Sequence, residues 1–597
     1  TPSNEPASLS SPTRGATTMR YGVIGNSGTA ALIHENGSID WCCLPRFDSP
    51  SAFGALLDPD AGHFQVRAAD EANSRQTYLD RTAILRTEFD DGETAFAVID
   101  FMPRYRDGQS WCRPTEILRI LKPLRGRPSI RVVFDPKLNY ARGETVAKQR
   151  NGYVMATNGL EDLYLYGSLP MASVMARAAI PLETDHFLLL SYHEKFVEPT
   201  LVYANDMFER TREYWEAWSN ESRLPSRWPH EVLRSAITLK LLTYEETGAM
   251  VAAATTSLPE AIGESRNWDY RFCWLRDASL VLESMKSIGH FREAKGFITF
   301  LLHVFESKQT AVQILYRVDG RTDLAEQTLP HLRGYKNSKP VRIGNDACRQ
   351  RQNDIFGEVL NTIHLYYFHY QFESMPAEVW SLVKFMVNTA VRDWRSTDAG
   401  IWELRTRRKH FTHSKMLSWV AVDRGVRIAR AIGRTDMANE WAPVADTIRA
   451  DIMRKGWKPG IGSLTQTYGS NFLDISLLQA ARLGFIGQSD PRWISTVKKC
   501  AEALCRDGFV FRYTNADDYG KPKSAFIPAS LWMAKALYTI GEKDRSVELL
   551  ERVLSIANHV GLLSEDVDVA THELLGNVPQ AYSHMAVINT ATLLSKG

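Results

Sequence analysis

The sequence predicts two domains: an antiparallel β-sandwich, then an all-α domain of helix hairpins closing into an (α/α)6 barrel. Three observations carry the prediction. The chain is 597 residues long, more than one hydrophobic core ordinarily supports. Its hydrophobic period changes from strand-like to helical after about residue 229. In the helical part a glycine recurs every 52–56 residues. Hydrophobic residues make up 44% and charged ones 23%, the balance of a soluble globular protein. The formal charge is only +2 and no long basic run occurs, which argues against nucleic acid or an anionic membrane as partner. No apolar stretch is long enough to span a bilayer.

Residues 1–18, TPSNEPASLSSPTRGATT, are polar and lack an apolar h-region, so they read as a disordered leader. Residues 19–204 form the sandwich domain: AVIDFMPRY, TEILRILKPL and SIRVVFDPKL set β-branched and aromatic residues between Gly, Pro and Asp breaks. Asn36-Gly37 and Asp91-Gly92 are hairpin-turn pairs. Residues 205–228, with NDMFERTREYWEAWSNES, read as a linking helix, and 229–597 as the helical domain. There Met437, Trp441, Val444, Ile448 and Ile452 make one buried helical stripe. Ile494, Val497, Ala501 and Leu504 make a second, behind Asp490 as N-cap and Pro491 at the first helical position. Val547, Leu550, Leu554 and Ala557 make a third.

The recurring glycines are Gly344, Gly400, Gly456, Gly508 and Gly561, and the period leaves room for roughly six helix hairpins. An open solenoid would share this period; closing the ring creates one central pocket.

The seven cysteines (Cys42, Cys43, Cys112, Cys273, Cys348, Cys500, Cys505) are odd in number and scattered, without CxxC pairs or a cysteine–histidine spacing suited to zinc. A thiol-reduced, cytoplasmic protein fits best, with secretion or a periplasmic location the alternative if a signal peptide has been removed.

The richest stretch for chemistry is NWDYRFCWLRDASL, which sets Trp268, Tyr270 and Trp274 beside Asp269, Arg276 and Asp277. Aromatic rings cover the apolar faces of a sugar, while carboxylates and a guanidinium hydrogen-bond its hydroxyls. A buried helix start with a structural ion pair would have the same composition. Three of the recurring glycines lead into polar groups in apolar settings: Gly400 to Trp402-Glu403, Gly508 to Arg512, and Gly561 to Glu565. If equivalent loops share one end of a barrel, Glu403, Arg512 and Glu565 converge there. Two glutamates in apolar loops are what glycoside hydrolysis requires, one held protonated and the other ionised to activate water. Lying roughly three periods apart, they fall on opposite sides of a six-fold mouth. His410, His413, Asp423 and His584 lack a consistent ligand spacing, and Asp566 and Asp568 lack a glycine-centred calcium loop, so no metal is expected. GVIGNSG has the wrong order for a dinucleotide loop, and no cofactor is expected.

These residues resemble glycoside hydrolase family 15, the glucoamylase, glucodextranase and trehalase group, in its prokaryotic form. YGVIGNSGTAALIHENGSIDWCCLPRFDSPSAFGALL resembles the family's N-terminal hairpins. ATTSLPEAIGESRNWDYRFCWLRDASL, HLRGYKNSKPVRIGNDACRQRQNDIFGEVL, GIWELRTRRKHFTHSKMLSWVAVDR and GLLSEDVDVATHELLGNVPQAYSHMAVINTA resemble its later blocks in order. The resemblance implies a sandwich followed by an (α/α)6 barrel that removes glucose from the non-reducing ends of short α-glucosides with inversion, releasing β-D-glucose. It places the general acid at Glu403 and the general base at Glu565. Arg276 and Asp277 would hold the terminal glucose, Tyr270, Trp274 and Trp402 would line its subsite, and Arg512 would lie near the leaving sugar.

The chain departs from many relatives at Lys523-Ser524-Ala525-Phe526, and NDACRQRQND carries few aromatic residues. The first leaves contacts beyond the first sugar open; the second suggests a short substrate with a polar second-sugar region around Asn345, Asp346 and Cys348. Asp354 and Glu358 are pocket candidates that serve equally as helix-cap or ion-pair residues. The leading expectation is a glucoamylase-like α-glucosidase. The alternatives on the same scaffold are a trehalase, an isomaltose- or dextran-specific glucohydrolase and a glucosyl transferase. A sugar epimerase, a phosphorolytic enzyme and a silent sugar-binding protein fit the two glutamates less well. The expected partner is a small α-glucoside, and the sequence does not specify an oligomeric state.

Overall fold

The computed structural model describes residues 19–596 except 109, 197, 307–311 and 370–372; the expected leader lies outside the described residues. Among the described residues the N-terminal region forms two large antiparallel sheets, of seven and eight strands, and a small two-stranded one. The first includes Tyr21–Gly25, Ala30–His34, Ser38–Cys43, His63–Ala68 and Ser129–Asp135. The second includes Leu85–Asp90, Ala95–Phe101, Glu116–Arg125 and His186–Tyr192. Ser129–Asp135 alternates buried and half-buried residues, the pattern of a strand with one face on the core. Both expected turns are hairpins. Gly37 has φ 80°, and a Cβ there would lie 2.0 Å from the Val66 carbonyl oxygen, so the position requires glycine.

A helix, Leu201–Asn220, crosses the second sheet and packs on Glu116–Arg125 and His186–Tyr192. It starts and stops earlier than the expected 205–228. The Thr200 side chain caps it by accepting from the Tyr203 amide at 3.2 Å. Beyond Asn220 the chain runs without helix to Trp228, in the left-handed region at φ 57°, and Pro229 opens the next helix.

The helical domain is a closed double ring. The inner elements are Leu275–Ser287, Asp354–His364, Thr412–Ala431, a short 3₁₀ turn at Ile475–Gln479, Ile527–Thr539 and Ala581–Leu594. Each packs on the next and the last packs on the first, which excludes an open solenoid. The outer helices are Pro229–Leu241, Arg292–Glu306, Ala377–Asp393, Thr435–Lys455, Pro491–Leu504 and Lys543–Ser555. Ile527–Thr539 and Ala581–Leu594 are buried nearly all round, as inner helices must be. The outer helices carry the stripes read from sequence: Trp441, Ile448 and Ile452 are buried in Thr435–Lys455, and Asp490 caps Pro491–Leu504. In Pro491–Leu504 the buried stripe centres on Trp493, Val497 and Cys500, turned slightly from the expected one so that Ile494 is only half-buried. All seven cysteines are free thiols. No helix among the described residues is long and apolar enough to cross a membrane.

Sandwich and barrel meet beside the site. Arg271 is 1% exposed and reaches the sandwich through the Ser49 carbonyl at 2.8 Å and the Tyr140 hydroxyl at 2.9 Å. Trp41 Nε1 donates to the Ala254 carbonyl at 2.8 Å. The loop carrying residues 249–274 is thus fixed from behind by the first domain.

Candidate active site

Every connection from an outer helix to the next inner element emerges at one end of the barrel. Four of these six connections, with the N-terminal turns of Leu275–Ser287, Ile527–Thr539 and Ala581–Leu594, line one pocket of about 870 Å³ of open space including its mouth. Tyr270, Trp274, Arg276, Asp277, Trp402, Glu403, Arg512 and Glu565 all line it. Glu403 comes from the third connection and Glu565 from the sixth, half a ring apart.

The aromatic stretch NWDYRFCWLRD divides between scaffold and pocket. Asp269 is fully buried and makes a two-pronged ion pair with Arg271, at 2.7 and 2.9 Å, so this pair is structural. Tyr270 and Trp274 face the pocket with ring centroids 5.6 Å apart, edge to face. Arg276 and Asp277 lie in the first turn of Leu275–Ser287. Arg276 donates Nε to Asp277 at 3.1 Å and Nη1 to Gln352 at 2.9 Å and Asp354 at 3.3 Å; Nη2 reaches Glu403 at 3.4 Å. Asp354 is therefore an anchor for Arg276 behind the pocket wall, and Glu358 pairs with Arg482 at 3.6 Å. Burial pushes the Asp277 carboxyl up to about 6, against the pull of Arg276.

Glu403 ends a tight turn. Gly400 has φ 71° and a Cβ there would lie 2.7 Å from the Phe411 ring. Glu403 itself has φ 57°, a left-handed conformation that costs a non-glycine residue on the order of 1–3 kcal/mol and that clusters at functional sites. Its Oε1 accepts from Trp274 Nε1 at 2.8 Å, Gln352 Nε2 at 3.1 Å and Arg276 Nη2 at 3.4 Å. Trp402 is held by its own Nε1 bond to Asp474 at 2.7 Å, with its ring against Tyr513 and Phe526.

The opposite wall gathers a second group of carboxylates. Glu565 is 5% exposed; its Oε1 accepts from the Tyr270 hydroxyl at 2.7 Å and from Arg512 Nη2 at 3.1 Å. Arg512 also donates to Asp566 at 3.0 Å and to Glu260, so three buried carboxylates share one guanidinium. Burial, then the charge of Glu260, push the Glu565 carboxyl well above the usual range, against Arg512 and the Tyr270 bond. Burial likewise pushes Asp566 up to about 7, against Arg512.

Several residues of the site carry no distinct sequence signal: Glu260, Arg266, Asp517 and Asp518 line the pocket and Gln352 bonds Glu403, all from loops whose convergence no spacing reveals. Gly576 is another. A Cβ there would sit 2.8 Å from Glu565 Cβ and 2.9 Å from its Oε2, so the glycine makes room for that side chain. Among the described lining residues Asn345, Asp346 and Cys348 do not occur. Asn345 Oδ1 instead accepts from Arg405, which does line the pocket, at 3.1 Å. The expected second-sugar region around these three residues is therefore not part of the pocket lining.

The residues weighed for metal binding serve structure. His584 Nε2 accepts the Leu563 amide at 3.1 Å and its Nδ1 meets Ser235 Oγ at 3.0 Å, pinning the loop that carries Glu565. Asp423 pairs with Arg424 and Arg427, His410 stacks on Tyr468, and burial drives His413 down to about 3. Asp568 caps the turn at Ala570 and Thr571. No group of three or more His, Cys, Asp or Glu among the described residues is arranged to hold a metal ion.

Residues 230–592 match the model of glycosyl hydrolases family 15, more than half of the chain. The chain belongs to glycosyl hydrolase family 15. Residues 12–167 match a second model, the trehalase-like N-terminal domain. The chain is 36% identical to a trehalase of Mycolicibacterium smegmatis, across 95% of this chain and 90% of that one. It is 32% identical to a trehalase of Thermoplasma volcanium, across 96% and 93%. A bacterial glucoamylase solved with acarbose superposes with a TM-score of 0.72 at 13% identity, covering 100% of this chain and 96% of that one. At that identity the likeness speaks for the fold, the sandwich followed by an (α/α)6 barrel. As a member of this family the protein is an O-glycosyl hydrolase of α-glucosides, which sets aside the epimerase, phosphorolytic and silent-binding readings.

Proposed function

We propose that the protein hydrolyses α,α-trehalose. The observation that carries this reading is that relatives named trehalase align with nearly the whole chain, at 36% identity in the first case. Trehalose therefore moves ahead of the glucoamylase-like reading of short α-glucosides. The pocket chemistry suits it: Trp274, Arg276 and Asp277 offer one glucose an aromatic face and charged hydrogen-bonding groups, and the outer wall of Glu260, Arg266, Asp517 and Asp518 offers polar partners to a second.

In this mechanism Glu403 is the general acid and Glu565 the general base. The three donors to Glu403 all meet Oε1, which leaves Oε2 to carry the proton delivered to the glycosidic oxygen. The two donors to Glu565 likewise meet Oε1, which leaves Oε2 to take a proton from water. As the glycosidic C–O bond breaks, its electron pair stays with the leaving oxygen, protonated by Glu403. Water attacks the anomeric carbon from the opposite face and gives its proton to Glu565. Glucose release from a panel of trehalose, maltose, isomaltose and soluble starch tests the reading. The highest kcat/KM is expected on trehalose; a higher value on any other member overturns it.

A further inference from the structure

Four of the six barrel connections are joined beside the pocket by a closed circuit of charged hydrogen bonds. Arg266 grips Asp517 with two bonds, at 2.7 and 2.8 Å, and adds the Gly520 carbonyl at 3.2 Å. The next residue, Asp518, accepts the amides of Arg405 and Thr406, at 2.5 and 3.0 Å, and the Thr406 hydroxyl. Arg405 passes to Glu326 at 3.3 Å, and Glu326 to Arg342 Nε at 3.1 Å. Arg342 Nη1 returns to the Ser265 and Asn267 carbonyls, at 2.9 and 2.7 Å, on either side of Arg266. The circuit is closed, and Arg266, Arg405, Asp517 and Asp518 all line the pocket.

We propose that this girdle is a specificity device that fixes the width of the mouth, admitting the second sugar of a disaccharide and excluding a third. The inference rests on the disaccharide-hydrolase reading above and deepens it. The Arg266 and Asp517 side chains are only 8% and 4% exposed, so widening the ring means separating charges already withdrawn from water. Each member is held by at least two bonds, and the bidentate Arg266–Asp517 pair adds directional rigidity. A sugar chain continuing past the second ring must cross this circuit, whereas a disaccharide ends inside it.

Asp518→Ala removes the acceptor that ties the third connection to the fifth. The test compares kcat/KM on trehalose with that on a trehalose whose second ring carries one further glucose. Both present the same scissile bond, so any disturbance of Glu403 lowers both values and cancels in the ratio. The trisaccharide-to-disaccharide ratio is expected to rise on the order of tenfold in the variant, a size that steric and polar discrimination in a pocket commonly reaches. Asp518→Asn, which keeps one acceptor oxygen, is expected to give a smaller rise. An unchanged ratio in a folded variant overturns the proposal. If neither variant folds, the wild-type ratio decides: equal kcat/KM on the two substrates overturns the girdle, and strong preference for the disaccharide supports it. A wild type inactive on trehalose defeats the trehalase reading alone, and maltose against maltotriose then decides the girdle by the same ratio.

Discussion

Replacing Glu565 by glutamine separates function from stability in a way the pocket geometry makes specific. Glutamine keeps the shape, and its Oε1 accepts from Tyr270 and Arg512 as the carboxylate does, at 2.7 and 3.1 Å in the native protein. What it loses is one negative charge among three carboxylates held on Arg512. A carboxyl whose pKa is raised by folding is deprotonated more readily in the unfolded chain. Its ionisation therefore lowers stability as pH rises through the ordinary carboxylate range toward the folded value. Near pH 7 the Gln variant should be as stable as the wild type or more so, with a Tm rise of no more than about 2–4 °C per kcal/mol gained. Loss of a positioned base should cut kcat by about 10²–10⁴, or about 3–5 kcal/mol of barrier. Glucose release measures the first effect and differential scanning fluorimetry the second. A folded variant within tenfold of wild-type kcat refutes Glu565 as base. A clear fall in Tm refutes the account of crowded charge.

Glu403→Gln should lose a similar factor on trehalose yet recover substantially on α-glucosyl fluoride, whose leaving group needs no proton, while Glu565→Gln should not recover; steady-state kinetics on both substrates checks the pair. The acid limb of the kcat/KM–pH profile should lie above the ordinary carboxylate range, because activity falls as pH drops through the raised pKa of Glu565. Glu260→Gln removes the charge that raises that pKa most after burial, so it should move this limb to lower pH. Gly576→Ala puts a methyl 2.9 Å from Glu565 Oε2 at a φ of 75°, so kcat should drop by about tenfold or more with KM little changed, read from initial rates. Inversion predicts that trehalose first yields one β-glucose and one α-glucose, the latter the leaving sugar; proton NMR before mutarotation showing only α-glucose would refute the opposed-face water.

Periodicity made the architecture legible. The 52–56-residue glycine spacing marks the hairpins because each outer helix must turn sharply into the loop that feeds the next inner helix, as at Gly400, Gly508 and Gly561. The same spacing led to Glu403 and Glu565, since equivalent loops share one end of a closed ring. What it did not reveal was how charge is shared between loops. Glu260 in SLPE and Asp517 in NADDYG carry no distinct signal, and only the closed ring brings them to Arg512 and Arg266. Proximity in sequence misled in the opposite sense. Asn345, Asp346 and Cys348 lie in a block beside pocket residues, but Asn345 turns inward, with Nδ2 bound to the Asp269 carbonyl at 3.2 Å. Asp269, two residues from Arg271, belongs to the scaffold, whereas Asp277, beside Arg276, belongs to the pocket. One-residue spacings cannot tell these apart, because the difference lies in which side of the wall each side chain meets.

Both walls of the pocket gather three carboxylates on one guanidinium, and they differ in burial: the Glu403 side chain is 20% exposed and that of Glu565 6%. On the Glu403 side a carboxyl is held by one guanidinium, an indole and an amide, with Asp277 and Asp354 sharing the same Arg276. On the Glu565 side three carboxylates crowd one Arg512, an arrangement that burial and mutual repulsion disfavour in the resting protein. That cost has a use if the sugar becomes cationic as its glycosidic bond breaks, as in glycoside hydrolysis. Negative charge fixed beside the pocket is then unfavourable with nothing bound and favourable in the transition state. An interaction that strengthens only as the reaction proceeds lowers the barrier, whereas one equally strong in the ground state does not. The buried acidic cluster therefore has a kinetic explanation where a stability argument offers none, and the Glu565→Gln variant, more stable and less active, is where the two accounts part.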